Sequence, residues 1–244
     1  MSAPEPSRRE PALPLVFENV GLEIGGVARL ADLSFTLGAG PCSVILGPNG
    51  AGKSLTLRLA HGLLTPTRGH VRWLGAGSPE RAQAMVLQRP VLLRRRVAAN
   101  LEYPLRMLGV PAAERRQRVA ATLARADLAD LADRPARSLS VGEQQRVAVA
   151  RAWVVAPEVL WLDEPASALD PGSTRTLEET IRSIRSSGTK IVMTTHDLGQ
   201  ARRLADEVLF LHRGRILEQT PADEFFDAPR SAEAAAFLKG ELLA

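Results

Sequence analysis

Eight consecutive residues, Gly47-Pro48-Asn49-Gly50-Ala51-Gly52-Lys53-Ser54, carry the spacing G-x-x-x-x-G-K-[ST]. Gly47, Gly50 and Gly52 have no side chain to block close approach, so successive backbone N–H groups can converge on one anion at a helix N-terminus. Lys53 then reaches the β- and γ-phosphates of a nucleotide, and the Ser54 hydroxyl ligates Mg²⁺. The phosphate cradle expected from this stretch runs from Gly47 through Leu55. A second candidate lies further along, where the apolar run Val159-Leu160-Trp161-Leu162 ends in Asp163-Glu164. A carboxylate at the C-terminal end of a strand can hold Mg²⁺ beside Ser54. A second carboxylate directly after it can accept a proton from an attacking water, which points to hydrolysis and not to transfer onto an organic hydroxyl.

These side chains need elements to position them. The residues up to Leu46 suit a buried strand, and Leu55 to Leu64 recurs at helical spacing, so strand, loop and helix follow in the order a phosphate-binding loop requires. Upstream, residues 15–20 and 34–37 read as strands flanking a turn-rich patch with Gly25-Gly26, which predicts an antiparallel sheet. Residues 70–74 alternate as a strand does, and Met85-Val86-Leu87-Gln88 is a short apolar run ending on a polar residue. From Arg89 to Val155 no strong strand signal occurs; helices are expected over 97–108, over 111–126 and from Leu139 onward, where Ser140 and Glu143 have the spacing of a capping box. Strand and helix then alternate again: a helix over 171–187, a strand over 190–195 ending at His196, a helix over 198–205, a hairpin around Arg213-Gly214 and a helical tail over 222–243.

Length and composition narrow the possibilities. The chain of 244 residues is 45% hydrophobic, enough for a full core, and its most apolar region, 147–162, is interrupted by Arg151 and Pro157. That argues for a soluble protein. Residues 1–13 read as a disordered leader. The single cysteine, Cys42, excludes an internal disulfide and fits a reducing compartment. Of 31 basic residues only Lys53, Lys190 and Lys239 are lysines, but the arginines are dispersed among acids, with one tight cluster at Arg94-Arg95-Arg96. Nucleic acid is therefore not expected as a partner.

Taken together, Gly47 to Ser54, Gln88, Leu139 to Gln145, Val159 to Pro165, Ser167-Ala168-Leu169-Asp170 and His196 resemble, in order and spacing, the ATP-binding cassette ATPases of ABC transporters. The resemblance covers the chain from about Leu15 to its C-terminus. It implies an α/β fold: a P-loop NTPase (RecA-like) core with an antiparallel β subdomain and an inserted α-helical lobe. The expected layout is one domain over 14–244, with a core of 14–88 and 156–221, a helical lobe of 89–155 and a helical tail of 222–244.

The resemblance also assigns roles. Gln88 looks like the glutamine that senses Mg²⁺ and the attacking water, and His196 like the histidine that contacts γ-phosphate and water. Ser140, Val141, Gly142 and Glu143 are similar to the signature segment that binds ATP held by a second subunit, and Asp170 to the residue that crosses the dimer interface. Two positions depart from the family pattern. Val141 stands where glycine is commoner and is expected in ordinary helical or extended backbone. Ile24 stands where an aromatic usually stacks on adenine. The implied machine is a homodimer with ATP and Mg²⁺ at its interface, on the inner, cytoplasmic face of the cell membrane. It would be attached to an integral membrane permease and served indirectly by a periplasmic or lipid-anchored binding protein. The permease contact is expected around residues 89–93 and Tyr103-Pro104. The absence of a fused membrane segment or appended domain looks like a bacterial importer subunit, and residues 88–95 with the tail resemble oxyanion importers, tungstate first, then molybdate or phosphate. A soluble cassette ATPase of DNA repair or translation, or a P-loop kinase, are the competing classes.

Overall fold

The computed structural model describes residues 10–40 and 42–241. Two apolar strands, β1 (Leu15–Ile24) and β2 (Val27–Leu37), pair antiparallel through Gly25-Gly26. Both glycines have positive φ, as a two-residue hairpin turn requires. Strand β3 (Cys42–Leu46), helix α1 (Lys53–His61) and strand β4 (Arg68–Trp73) follow, with β4 on the other side of β1 to complete a three-stranded sheet ordered β2-β1-β4. A short helix α2 (Pro79–Ala82) and strand β5 (Gln83–Val86) lead into three helices, α3 (Val97–Met107), α4 (Ala112–Arg125) and α5 (Val141–Trp153). The chain then alternates as β6 (Val159–Asp163), α6 (Pro171–Ser186), β7 (Lys190–Thr195), α7 (Leu198–Leu204), β8 (Glu207–His212) and β9 (Arg215–Pro221). It ends in α8 (Ala222–Asp227) and α9 (Ala232–Leu238).

The second sheet has the order β5-β6-β7-β3-β8-β9, parallel except for β9. Its central strands β3, β6 and β7 are buried at every residue, which is why they read as unbroken apolar runs. Alternation along them divides two cores. Val44, Leu46, Leu160 and Leu162 face the helices, whereas Ile45, Val159 and Trp161 face the antiparallel sheet. The helical segment has no core of its own: Val97, Leu101, Leu123 and Val147 belong to the same cluster as the strand residues on that face.

The boundaries differ from the sequence reading in several places, beginning with the first hairpin, whose strands run on to Ile24 and start at Val27 where 15–20 and 34–37 were expected around a turn-rich patch. Ala12 and Leu13 are buried, and their N–H groups donate to the Glu158 carboxylate at 2.7 and 3.0 Å. The chain therefore joins the fold before residue 14; residues 1–9 of the expected leader lie outside the described residues. The apolar run at Met85 forms a strand that starts earlier and stops at Val86, leaving Gln88 in a loop. The tail is helical as expected, in two short helices separated around Pro229. Among the described residues no helix is long and apolar enough to cross a membrane. Glu158→Ala removes both carboxylate bonds that anchor residues 12–13, and urea denaturation is expected to show a loss of about 2 kcal/mol.

Candidate functional site

The loop between β3 and α1 is shaped by glycines that nothing else could replace. A Cβ on Gly47 would lie 2.0 Å from the Leu211 carbonyl oxygen, and Gly52 has φ 106° with Leu30 only 2.5 Å from where its Cβ would stand. The loop is thus wedged against β8 on one side and β2 on the other. No side chain caps α1 and its first turn holds no acid, so the positive end of the helix is left for an outside anion. Lys53 is buried beneath the loop, where its Nζ donates to the carbonyl oxygens of Gly47 and Pro48 at 2.9 and 3.1 Å. Burial pushes its pKa down, against the opposing pull of Glu164 and Asp163.

Parallel pairing brings the C-terminal ends of β3, β6 and β7 together, with Asp163 opposite Thr194 and Leu46 opposite Thr195. The Ser54 hydroxyl donates to Asp163 Oδ1 at 2.7 Å, and the buried Thr194 hydroxyl donates to the same oxygen at 2.9 Å. Thr194 Oγ1 in turn accepts the Glu164 N–H at 2.9 Å. Glu164 has a left-handed φ of 43°, a conformation uncommon for a residue with a side chain. The bend turns its carboxylate toward Lys53 and the loop after β7. One oxygen lies 3.3 Å from Lys53 Nζ, and the other 3.3 Å from His196 Nδ1 and 3.4 Å from Gln88 Nε2. Gln88 also donates to Ser167 Oγ at 3.2 Å. Glu164 and His196 line a cavity of about 730 Å³. Ser54 and Asp163, one hydroxyl and one carboxylate with phosphate oxygens to come from a ligand, are the hard donors that suit Mg²⁺. Among the described residues no cluster of three or more His, Cys, Asp or Glu exists that would suit a metal held by protein alone.

The family model for "ABC transporter" matches residues 30–167, a stretch that includes the loop, Gln88, Ser140 to Gly142 and Glu164. The chain belongs to the ABC transporter family. An Fe(3+) ions import ATP-binding protein of Pasteurella multocida is 36% identical over 231 residues, covering 92% of this chain and 66% of that relative. The tungstate uptake system ATP-binding protein of Peptoclostridium acidaminophilum is 38% identical over 215 residues, covering 87% of this chain and 99% of its own length. The solved structure of a Clostridium perfringens subunit, part of the ABC transporter complex cbiONQ, superposes with a TM-score of 0.80 at 28% identity, covering 88% of this chain and 90% of that one.

In this ABC transporter chain the signature segment opens α5. Ser140 caps α5 in a full capping box: its hydroxyl accepts the Glu143 N–H at 3.3 Å, while Glu143 accepts the Ser140 N–H at 2.8 Å. The Ser140 N–H and the Ser140 hydroxyl, each donating to the Glu143 carboxylate at 2.8 Å, hold that carboxyl below its ordinary range. Val141 is 61% exposed and is absent from the residues with positive φ, as expected. Gly142 is buried, and a Cβ there would lie 2.5 Å from Ser173 Oγ. Its lack of a side chain thus serves packing against α6 within the chain. Asp170 caps α6, accepting from the N–H and hydroxyl of Ser173 at 3.0 and 2.6 Å, which lowers its carboxyl pKa. Among the described residues no hydrogen bond or ion pair joins Ser140, Val141, Gly142, Glu143 or Asp170 to Lys53 or Glu164. Ile24 lies at the hairpin tip, paired with Val27; both are about half exposed. The same strand pair reaches the phosphate loop through Leu30.

Beside Gln88 an apolar cleft of about 420 Å³ is lined by Val86, Leu87, Val91, Leu93, Tyr103 and Pro104, among others. Leu92, which the sequence places on this surface, is a core residue packed with α3 and α5, while Val91 is 78% exposed. A charge at position 92 would enter the core, so Val91 is the position that reports on the cleft.

Thr194, which bonds both Asp163 and the Glu164 N–H, was not legible as a site residue. Thr194→Val keeps the shape but leaves the Glu164 N–H unpaired, and urea denaturation is expected to show a loss of about 1–3 kcal/mol, with Thr194→Ser close to wild type.

Proposed function

We propose that this chain is the ATP-hydrolysing subunit of an importer and that it works as a head-to-tail homodimer on the inner face of the cell membrane. The observation that carries the reading is the convergence of Lys53, His196 and Gln88 on one carboxylate, that of Glu164, beside a phosphate loop with an uncapped helix. Gly47 to Leu55 and Lys53 bind the phosphates of ATP, and Ile24 with Val27 offers apolar contact to the base. Mg²⁺, held by Ser54 and Asp163 with Gln88 near, would neutralise charge on the β- and γ-phosphates. Glu164 accepts a proton from water as its oxygen bonds to the γ-phosphorus; the bond from that phosphorus to the bridging oxygen breaks and ADP leaves with the electron pair. His196 and Gln88 orient the water and the γ-phosphate.

The proposed second copy is supported by the signature segment: among the described residues no hydrogen bond or ion pair joins any of residues 140–143, or Asp170, to Lys53 or Glu164. In that pair the N-terminus of α5 in one copy would offer N–H groups to the γ-phosphate of ATP held by the other. ATP then favours the closed pair because only that state contacts the γ-phosphate from both sides, and hydrolysis removes the difference. Closure moves a membrane permease seated in the cleft at Val91 and Tyr103. The chain spans 66% of the length of the Pasteurella multocida iron relative and 99% of the tungstate one; the 38% identity to a tungstate uptake system's ATP-binding protein supports tungstate, among oxyanions, as the cargo. Co-purification of a permease on a tagged chain separates this reading from a soluble cassette ATPase.

Glu164→Gln keeps the shape and removes the base. Its turnover is expected to fall by about 10²–10⁴-fold with ATP affinity nearly unchanged. Wild-type turnover in a phosphate-release assay would refute the role given to Glu164.

A further inference from the structure

The cleft beside Gln88 carries a charge as well as an apolar floor. Arg151, in the last turn of α5, is the one charged residue that lines it, and no carboxylate does. Its Nη2 donates to the Val91 carbonyl oxygen at 2.9 Å, and among the described residues no acid forms an ion pair with it. Burial without a compensating acid pushes its pKa down. Over the ring of Tyr103, which lines the cleft, the Arg95 and Arg106 guanidinium groups lie 5.9 and 5.8 Å from the centroid, and among the described residues no acid forms an ion pair with either. The charge is segregated on a larger scale too. Residues 89–155 contain 13 arginines against 6 carboxylates, a net +7, while the rest of the chain has 18 basic against 21 acidic residues, a net −3.

These facts constrain an occupant. A half-buried guanidinium has five N–H donors, and one carbonyl leaves most of them to water. Covering the cleft with a neutral apolar helix would remove that water and strand the charge. A carboxylate on the helix would meet the guanidinium in fork geometry, and Arg151 with Arg95 and Arg106 at Tyr103 would repel a basic helix. A flat bilayer could reach Arg95 and Arg106 but not a guanidinium set in the cleft wall.

We propose that the permease helix seated in this cleft is apolar toward Val91 and Tyr103 and presents a carboxylate to Arg151. The proposal rests on the permease-docking reading above and adds the chemistry of the partner. Its test uses the full-length chain, tagged and purified in detergent with its permease, and measures permease retained per chain. The expected order is wild type, then Arg151→Lys close behind, Arg151→Gln weaker, and Arg151→Glu weakest by at least about ten-fold. ATP hydrolysis by the free chain is expected to stay within about two-fold of wild type in each variant, since Arg151 touches no group of the phosphate site. The exposed double variant Arg95→Glu with Arg106→Glu is expected to weaken retention in the same direction, which keeps the test open if Arg151→Glu misfolds. Equal retention by Arg151→Gln and Arg151→Glu overturns the proposal, because the sign of the charge would then not matter. So does unchanged permease retention with lost binding to anionic phospholipid vesicles, which would assign the charge to lipid. Val91→Asp separates the two levels: if it too retains the permease fully, the docking reading itself fails, whereas loss in Val91→Asp alone leaves docking in place and removes the carboxylate.

Discussion

The Glu164 carboxylate sits where three groups can reach it only because of how the parallel sheet ends. Strands β3, β6 and β7 stop side by side, so the loop after each one opens onto the same few ångströms. Lys53 comes from the first loop, Glu164 from the second and His196 from the third; Gln88 arrives from the loop after β5 at the sheet edge. An ionised carboxylate this enclosed is costly without partners, and Lys53 supplies the nearest opposite charge. The left-handed turn at Glu164 is local strain that the surrounding contacts sustain: the backbone N–H is fixed by Thr194 and the side chain by its three neighbours.

Much of this was readable in advance because it is written in short stretches. The phosphate loop is eight contiguous residues, and Asp163-Glu164 closes a strand whose burial on both faces shows as an unbroken apolar run. The capping box at Ser140 and Glu143 is likewise a three-residue relation, found as expected. What could not be read depends on register between distant segments. Thr194 is one residue of an apolar strand until β7 is aligned against β6, when its hydroxyl falls between Asp163 and the Glu164 N–H. Gly142 belongs to a motif that suggests ligand contact, yet its missing side chain is first needed for the approach of Ser173 on another helix.

Loops without periodicity gave the other errors. Around Pro90 to Leu93 no repeat of 2 or 3.6 residues tells inside from outside, and the fold buries Leu92 while exposing Val91. Residues 10–13 have too few apolar side chains to announce a buried segment, but two N–H groups captured by Glu158 from far along the chain hold them in place. The helical segment 89–155 is distinct in sequence, in secondary structure and in charge, yet it shares one core with the sheet. The cleft near Val91 is therefore close to Gln88 in the chain and to strand β5 in space.

The central claim is that each phosphate loop is completed by the Ser140 segment of a second copy. Mixing two inactive variants tests it: Lys53→Ala, which spoils the phosphate loop, and Ser140→Arg, which spoils the signature. A mixed pair then holds one site with both faults and one with neither. ATP hydrolysis by the mixture is expected to rise well above that of either variant alone. No rise on mixing, with Ser140→Arg by itself hydrolysing ATP as wild type does, would contradict a shared site and confine the chemistry to one chain.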